Sequence, residues 1–253
     1  SAAITDSQDD WNLLSELLAH HVENNGNKMS DVAINEAIKV VGQIDVEALG
    51  ILTILYGIGY FLPISGNICE GIKVMEDTLK SIFPRPFPKD SNCLEHLDVL
   101  NVIRISSLPI VKLEDYLLNK YKDYVCVGVK KGSSEYLSVI KILDSYKISH
   151  SDLVENECLD GYFRLNISSI ENVSPQYVEP VSCILDKYSN DKSLLKEAKI
   201  NFMNIWDSFE YLKALRCWWD SMPFSYSITH VGKILAQINA KRLVPDIPDK
   251  RWF

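Results

Sequence analysis

The sequence lacks the short motifs that mark well-known catalytic chemistry. It contains no Gly-rich phosphate loop, no nucleophile elbow, no H-E-x-x-H pair and no EF-hand pattern, so none of the activities that those motifs mark can be assigned. Internal repeats and low-complexity tracts are missing as well. The composition, with 47% hydrophobic and 24% charged residues, is ordinary for a folded protein. We therefore expect a folded chain whose activity its motifs do not reveal.

Cysteine and histidine are too scattered to form an evident metal site. The six cysteines lie more than about twenty residues apart, without a C-x-x-C pair, which is typical of free thiols in a reducing cytoplasm. Cys93 and His96 are the one pair at metal-ligand spacing, since both would face the same side of a helix. Only scattered cysteines and His150 or His230 could complete a zinc site. We therefore predict no metal and no cofactor, with Cys93 packed in the protein interior.

Basic residues are outnumbered, 26 against 34 acidic ones, giving a net charge of −8. Residues 1–83 carry a net charge of −8, residues 84–223 carry −3, and residues 224–253 carry +3. A chain with this balance repels phosphate backbones unless its basic residues gather on one face. A nucleic-acid partner is therefore not expected. A protein partner or a homo-oligomer is expected, because the acidic N-terminal third could face a basic partner.

One long stretch has no charged residue, ALGILTILYGIGYFLPISGNIC from Ala48 to Cys69. Its length alone would suit a transmembrane helix. Glycine, proline and polar residues break its last third, however, and no lysine or arginine cluster flanks it to set an orientation. We therefore predict that residues 48–62 form a buried helix, and that the protein is cytoplasmic and does not enter a membrane.

The predicted fold is mostly α with a few short strands (α+β). Helical periodicity and capping residues at Asp9, Asp10, Ser30 and Asp45 indicate an N-terminal helical bundle over residues 1–83. PRPFPKD at 84–90 forbids regular structure and predicts a Pro-rich connector, although it also has the form of a P-x-x-P ligand. Residues 91–253 are predicted to be a mixed α/β part packed with the bundle as one contiguous unit. Because residue 1 is not methionine, we expect a fragment of a longer protein.

In the mixed part, β-branched stretches alternate with helical ones. The elements expected are strands at 99–105, 124–129 and 161–167, helices at 113–122 and 134–147, and a Ser174–Pro175 helix start. A long helix is predicted from Lys192 to Trp219, because apolar residues recur every three or four positions from Leu195 to Leu212. It would lie across the core, with a dimeric coiled coil as the alternative.

Close to the end of the chain lies FSYSITHVGKILAQINAKR, from Phe224 to Arg242. It predicts a short strand followed by a terminal helix for which Thr229 is the N-cap residue. Gly232 would let the helix start lie close to a neighbour, and Lys241 and Arg242 would occupy the last turn, where the helix dipole favours cations. The alternative is the wing and last helix of a winged-helix DNA-binding domain, but FSYSI lacks the basic residues that a wing needs.

Three segments together resemble an uncharacterised family of bacterial proteins: AINEAIKVV with the apolar helix after it, NCLEHLDV, and SYSITHVGKILAQINAKRLV. The resemblance covers most of residues 12–245, and the middle matches poorly. Family members usually carry an additional N-terminal stretch that is absent here. The matched positions are Asn35, Glu36, Cys93, His96, Thr229, Gly232, Asn239 and Arg242. The family has no known reaction, and its likeness to abortive-infection proteins implies only an association with phage defence.

The expected function is therefore an interaction or regulatory module inside a bacterial cell, without catalytic residues. One alternative is an enzyme whose site is assembled from separated acidic residues with Cys93 and His96. The other is a weak nucleic-acid binder that uses the winged-helix-like C-terminal segment.

Overall fold

The structure is a computed structural model that describes residues 11–19, 28–61, 63 and 65–247, with the backbone alone described for 28–31 and Asn172. The predicted helix start at Asp9 and Asp10 lies outside the described residues. The helices are α1 (11–19), α2 (Lys28–Val41), α3 (Val46–Tyr60), α4 (Ile68–Ile82), α5 (Asn92–Val99), α6 (Leu113–Lys120), α7 (Ser134–Tyr146), α8 (Val178–Leu185), α9 (Lys192–Ser208), α10 (Glu210–Ser221) and α11 (His230–Leu243). The strands are β1 (Ile103–Ser106), β2 (Val129–Lys130), β3 (Leu153–Glu155), β4 (Tyr162–Leu165) and β5 (Ser225–Ile228). The predicted class, mostly α with a few short strands, is confirmed.

Two units can be distinguished in the chain, and neither is a continuous segment. The first is built from described residues within Ser1–Phe61, Asp77–Val111 and Cys217–Trp252. The second is built from described residues within Leu62–Glu76 and Lys112–Arg216. The Pro-rich stretch 84–90, expected to separate a bundle from a mixed part, thus lies inside the first unit.

The first unit is organised around α3. Asp45 caps this helix by accepting a hydrogen bond from the backbone N–H of Ala48 at 2.7 Å, as its position before the apolar run predicts. Every residue from Ala48 to Ile58 is buried, so the prediction of a buried helix is confirmed. Helix α11 packs against α3 and α2, and β1 pairs with β5 in an antiparallel ribbon. Among the described residues, no helix is long and apolar enough to cross a bilayer.

The second unit contains an antiparallel sheet in the order β2-β4-β3. Helices α7 and α8 pack on each other, and α7 also contacts β2. Their apolar side chains form one core with those of the strands: Val129, Val139, Leu143, Leu153, Leu165, Val181 and Ile184. Strand β4 falls within the predicted 161–167 stretch, and α6 and α7 fall within the predicted helices.

Four local predictions are wrong in whole or in part. Ser30 lies inside α2 rather than at its start. Only Val129 of the stretch 124–129 is in a strand, and the stretch 99–105 begins with the last residue of α5. The long helix from Lys192 to Trp219 is two helices, because Phe209 adopts an extended backbone with φ −91° and ψ 114°.

Glu76 accounts for the second helix start. Its Oε1 accepts a hydrogen bond from the backbone N–H of Tyr211 at 3.0 Å, in the first turn of α10. The indole N–H of Trp206 donates to the carbonyl oxygen of Leu212 at 3.0 Å, which ties α9 to α10 beyond the break. One side chain from outside the segment, Glu76, and one from within it, Trp206, thus stabilise a helix break that the apolar spacing of this segment cannot reveal.

Candidate functional site

The first unit contains a cavity of about 250 Å³ that we call the Arg242 pocket. Four stretches of chain surround it: α1, the start of α3 with the turn before it, the end of α4 with the residues after it, and the end of α11. Most of the wall is apolar, including Leu13, Ile44, Leu49, Ile82, Phe83 and Leu243. The polar side chains are few and include Arg85, Asn239 and Arg242. A mainly apolar cavity with a few convergent polar groups is the usual form of a small-molecule site.

A chain of hydrogen bonds holds Arg242 at the wall of the pocket. The Thr53 hydroxyl donates to the carbonyl oxygen of Leu49 at 2.7 Å and accepts a hydrogen bond from the Asn239 amide at 2.9 Å. The Asn239 Oδ1 in turn accepts a hydrogen bond from the Arg242 guanidinium at 2.9 Å. Thr53 is fully buried and Asn239 is 2% exposed, so solvent does not compete for these bonds. The guanidinium is therefore held in place before any ligand arrives.

The second arginine enters the pocket because of the proline-rich stretch. Helix α4 ends at Ile82, and the prolines at 84 and 86 prevent it from continuing past Arg85. Phe83 lies against α3 at Gly50, where a Cβ atom would come within 2.6 Å of the Phe83 ring. Arg85 is exposed and forms no ion pair with the residues that the structure describes. The pocket thus combines a packed aromatic wall with a cationic side chain at its edge.

Three charged groups set the electrostatics beside the pocket. Burial raises the pKa of Glu16 above its usual value, while the positive charges of Arg242 and Lys241 act in the opposite direction. Glu16 belongs to α1, the helix that also provides Leu13 to the pocket wall. Its carboxylate therefore offsets part of the positive charge of Arg242 and Lys241, while the charged residues that line the pocket itself, Arg85 and Arg242, are both cationic.

The other positions of the C-terminal pattern lie at the opposite end of α11. The Thr229 hydroxyl accepts a hydrogen bond from the backbone N–H of Gly232 at 3.1 Å, which confirms Thr229 as the N-cap. The same hydroxyl lies 2.9 Å from the carbonyl oxygen of Asn101 and 3.0 Å from that of Val102. Gly232 faces Val102 so closely that a Cβ atom would lie 2.0 Å from its carbonyl oxygen. Thr229 and Gly232 thus fix the start of the helix whose end carries Asn239 and Arg242.

Asn35 and Glu36 do not join this site. Both are exposed on α2, and Glu36 forms an ion pair with Lys39 at 2.7 Å on the same helix. An exposed pair of this kind contributes little to stability. The structure gives these two positions no role in the pocket.

Cys93 and His96 lie on α5 and are not among the residues that line the pocket. Burial, followed by the negative charges of Asp45, Glu47 and Asp90, raises the pKa of Cys93 to about 12. A nucleophilic cysteine needs the reverse, a lowered pKa. His96 Nε2 is 3.9 Å from Asp45 Oδ2, too far for a hydrogen bond. Within the described part of the chain, no group of three or more His, Cys, Asp or Glu residues is arranged to hold a metal ion.

The second unit contains a buried charge cluster with a structural explanation. The Arg164 side chain is fully buried and forms an ion pair with Glu157 at 2.7 Å. Its guanidinium also donates to the carbonyl oxygens of Gly66, Leu165 and Ile167. Glu157 accepts a further hydrogen bond from the backbone N–H of Ile68, at the start of α4. With its donors used in this way, Arg164 holds the segment before α4 against β4 and is not available to a ligand.

Sequence reasoning identified Asn239 and Arg242 through the family pattern but missed Thr53, Arg85 and Glu16. Thr53 had a usable signal, because a polar residue inside a wholly apolar helix needs a hydrogen-bonding partner. Arg85 was hidden in a stretch interpreted as a connector. Glu16 carried no signal, since acidic residues on helices are common.

No curated protein and no solved structure is detectably similar to this chain. A family model does match it across residues 1–253, and the family concerned is uncharacterised. The predicted resemblance to an uncharacterised family is therefore confirmed, and the chain belongs to that family.

Proposed function

We propose that the protein is a regulatory module that binds a small organic anion in the Arg242 pocket. The observation that carries this proposal is the hydrogen-bonded series Thr53–Asn239–Arg242, which positions a guanidinium at an otherwise mainly apolar cavity. An arginine that is already oriented before binding reduces the conformational-entropy cost of forming the complex. The high pKa of Cys93 gives no support to the alternative of a cysteine-based enzyme.

The proposed setting is the cytoplasm, and the proposed output is a changed interaction with a protein partner or with a second copy of the chain. A role in phage defence is supported only by the likeness of the family to abortive-infection proteins. Light scattering on the purified protein, with and without a bound anion, tests the second-copy version through the molar mass. A partner protein would leave that mass unchanged.

The binding proposal is tested by thermal unfolding with pairs of matched probes, such as benzoate with benzamide and acetate with acetamide. The charged member of each pair should raise the melting temperature more than the neutral one, because only a ligand that prefers the folded state stabilises it. Arg242→Gln should reduce this difference while retaining an amide donor for Asn239. Arg104→Gln is the matched control, since Arg104 is an exposed arginine on β1 of the same unit and outside the pocket. Equal shifts in wild type and Arg242→Gln would rule the proposal out.

A further inference from the structure

We infer that the anion is an amphiphile, a monocarboxylate whose apolar body fills the pocket. This inference rests on the proposed function and specifies the class of ligand. Acetate and inorganic phosphate carry the charge but not the apolar body, whereas hexanoate carries both. The distinction between them follows from the size of the cavity, its charged groups and its apolar wall.

The volume of the cavity limits the size of the ligand. At about 30 Å³ for each water-sized group, 250 Å³ accommodates roughly eight heavy atoms. Hexanoate and benzoate have about this size. Acetate would leave most of the cavity unfilled, and a twelve-carbon chain would extend out of it.

The charged groups favour one carboxylate over a phosphate dianion. Arg242 and Arg85 are the cationic side chains in the described wall, and guanidinium groups match the planar carboxylate in geometry. The negative charge of Glu16 acts on Arg242 and offsets part of its positive charge, which penalises a second negative charge on the ligand.

The apolar wall gives the ligand body a place to lie. Leu49 and Ile82 come from different helices and both line the cavity, next to the Phe83 ring packed at Gly50. Burying each methylene of a ligand there should tighten binding about fourfold, which corresponds to ~0.8 kcal/mol for each buried CH₂. A purely electrostatic site would show no such dependence on chain length.

The test is isothermal titration calorimetry with acetate, butanoate, hexanoate, dodecanoate, 1-hexanol and inorganic phosphate. Affinity should rise about fourfold per methylene up to hexanoate, with dodecanoate gaining less than this rate predicts because its chain leaves the cavity. Hexanol should bind at least about tenfold more weakly than hexanoate, because it has no charge for the two arginines. Methyl NMR should show hexanoate shifting the signals of Ile44 and Ile82, which places the ligand in this pocket.

Substitutions in the pocket test the contributions of the carboxylate and of the apolar body separately. Arg242→Gln should weaken hexanoate binding at least about tenfold. The exposed Arg85→Gln should weaken it about two- to fivefold, whereas Arg104→Gln should leave it unchanged. Leu243→Ser should reduce the gain in affinity for each added methylene. Leu108→Ser is its control, because Leu108 is 67% exposed and lies outside the pocket. Melting temperatures without ligand establish that each variant is folded.

The outcomes distinguish this inference from the function on which it rests. One outcome is that phosphate or acetate binds as tightly as hexanoate and loses that affinity in Arg242→Gln. This result would overturn the inference of an amphiphilic ligand and would leave the proposal of an anion-binding module standing. Hexanol binding as tightly as hexanoate would show an apolar cavity without carboxylate recognition and would overturn the inference. If no probe binds, or if binding depends on neither Arg242 nor Arg85, both proposals are overturned.

Discussion

Replacing Gly232 by alanine tests whether backbone contact, rather than helix propensity, dictates the residue at this position. Alanine is favoured over glycine inside a helix by about 1 kcal/mol, so propensity alone predicts a more stable protein. The structure predicts the opposite, because the new Cβ atom would lie 2.0 Å from the Val102 carbonyl oxygen. Relieving that overlap requires α11 to move away from the chain entering β1. The movement stretches the hydrogen bond from the Thr229 N–H to the Val102 carbonyl, now 3.0 Å long.

We expect a net loss of about 2 kcal/mol in the free energy of unfolding, since overpacking costs ~1–3 kcal/mol and a hydrogen bond ~1 kcal/mol. The melting temperature should fall by roughly 4–8 °C for a chain of this size. The control is Gly42→Ala, because nothing lies within 4 Å of a Cβ atom built there and its backbone is not left-handed. That variant should melt at an equal or slightly higher temperature, by about 1–3 °C. A Gly232→Ala protein as stable as the wild type would refute the reasoning.

Three further substitutions are predicted to change stability in defined ways. Thr229→Ala should lower the melting temperature by roughly 2–4 °C through loss of a helix cap worth ~1 kcal/mol, while Thr229→Ser should be nearly silent; equal melting of all three proteins would contradict this. Arg164→Met should lower the unfolding free energy by about 3–5 kcal/mol in urea titrations, because it leaves Glu157 without its buried partner; an unchanged midpoint would count against a structural role. Burial lowers the pKa of Lys120 to about 7, with Glu171 opposing the shift, so between pH 7 and 10 the unfolded chain binds more protons at this residue. The free energy of unfolding of the wild type relative to that of Lys120→Met should therefore increase over that pH range. Free energies of unfolding that change in parallel with pH in the two proteins would disprove this prediction.

The sequence predicts those features that depend on neighbours along the chain. Asp45 and Thr229 cap their helices as expected, because a capping hydrogen bond joins residues three positions apart. The burial of α3 could be predicted equally well, since a helix that is apolar on all sides has no face suited to water.

The features that were not predicted depend on residues far apart in the chain. The alternating valines at 125–129 suggest a strand, but the Asn156 side chain donates to the carbonyl oxygens of Cys126 and Val127. These carbonyls are thereby satisfied without a neighbouring strand. The same limit applies to the pocket, where the hydrogen bond from Asn239 to Thr53 spans 186 residues. No local pattern reports such a partner, and the family pattern identified Asn239 and Arg242 without revealing what they contact.

The burial of α3 has a consequence for protein synthesis. Its sequence leaves the ribosome long before α11, since Thr53 precedes its hydrogen-bonding partner Asn239 by 186 residues. At about 5–20 residues per second, translation delays their meeting by roughly 10–40 s. During that interval the nascent chain presents an uncharged apolar stretch without one of the helices that will cover it. Chains whose synthesis stops before α11 should therefore be retained by chaperones that recognise exposed apolar segments, or be degraded, whereas completed chains can bury the same stretch.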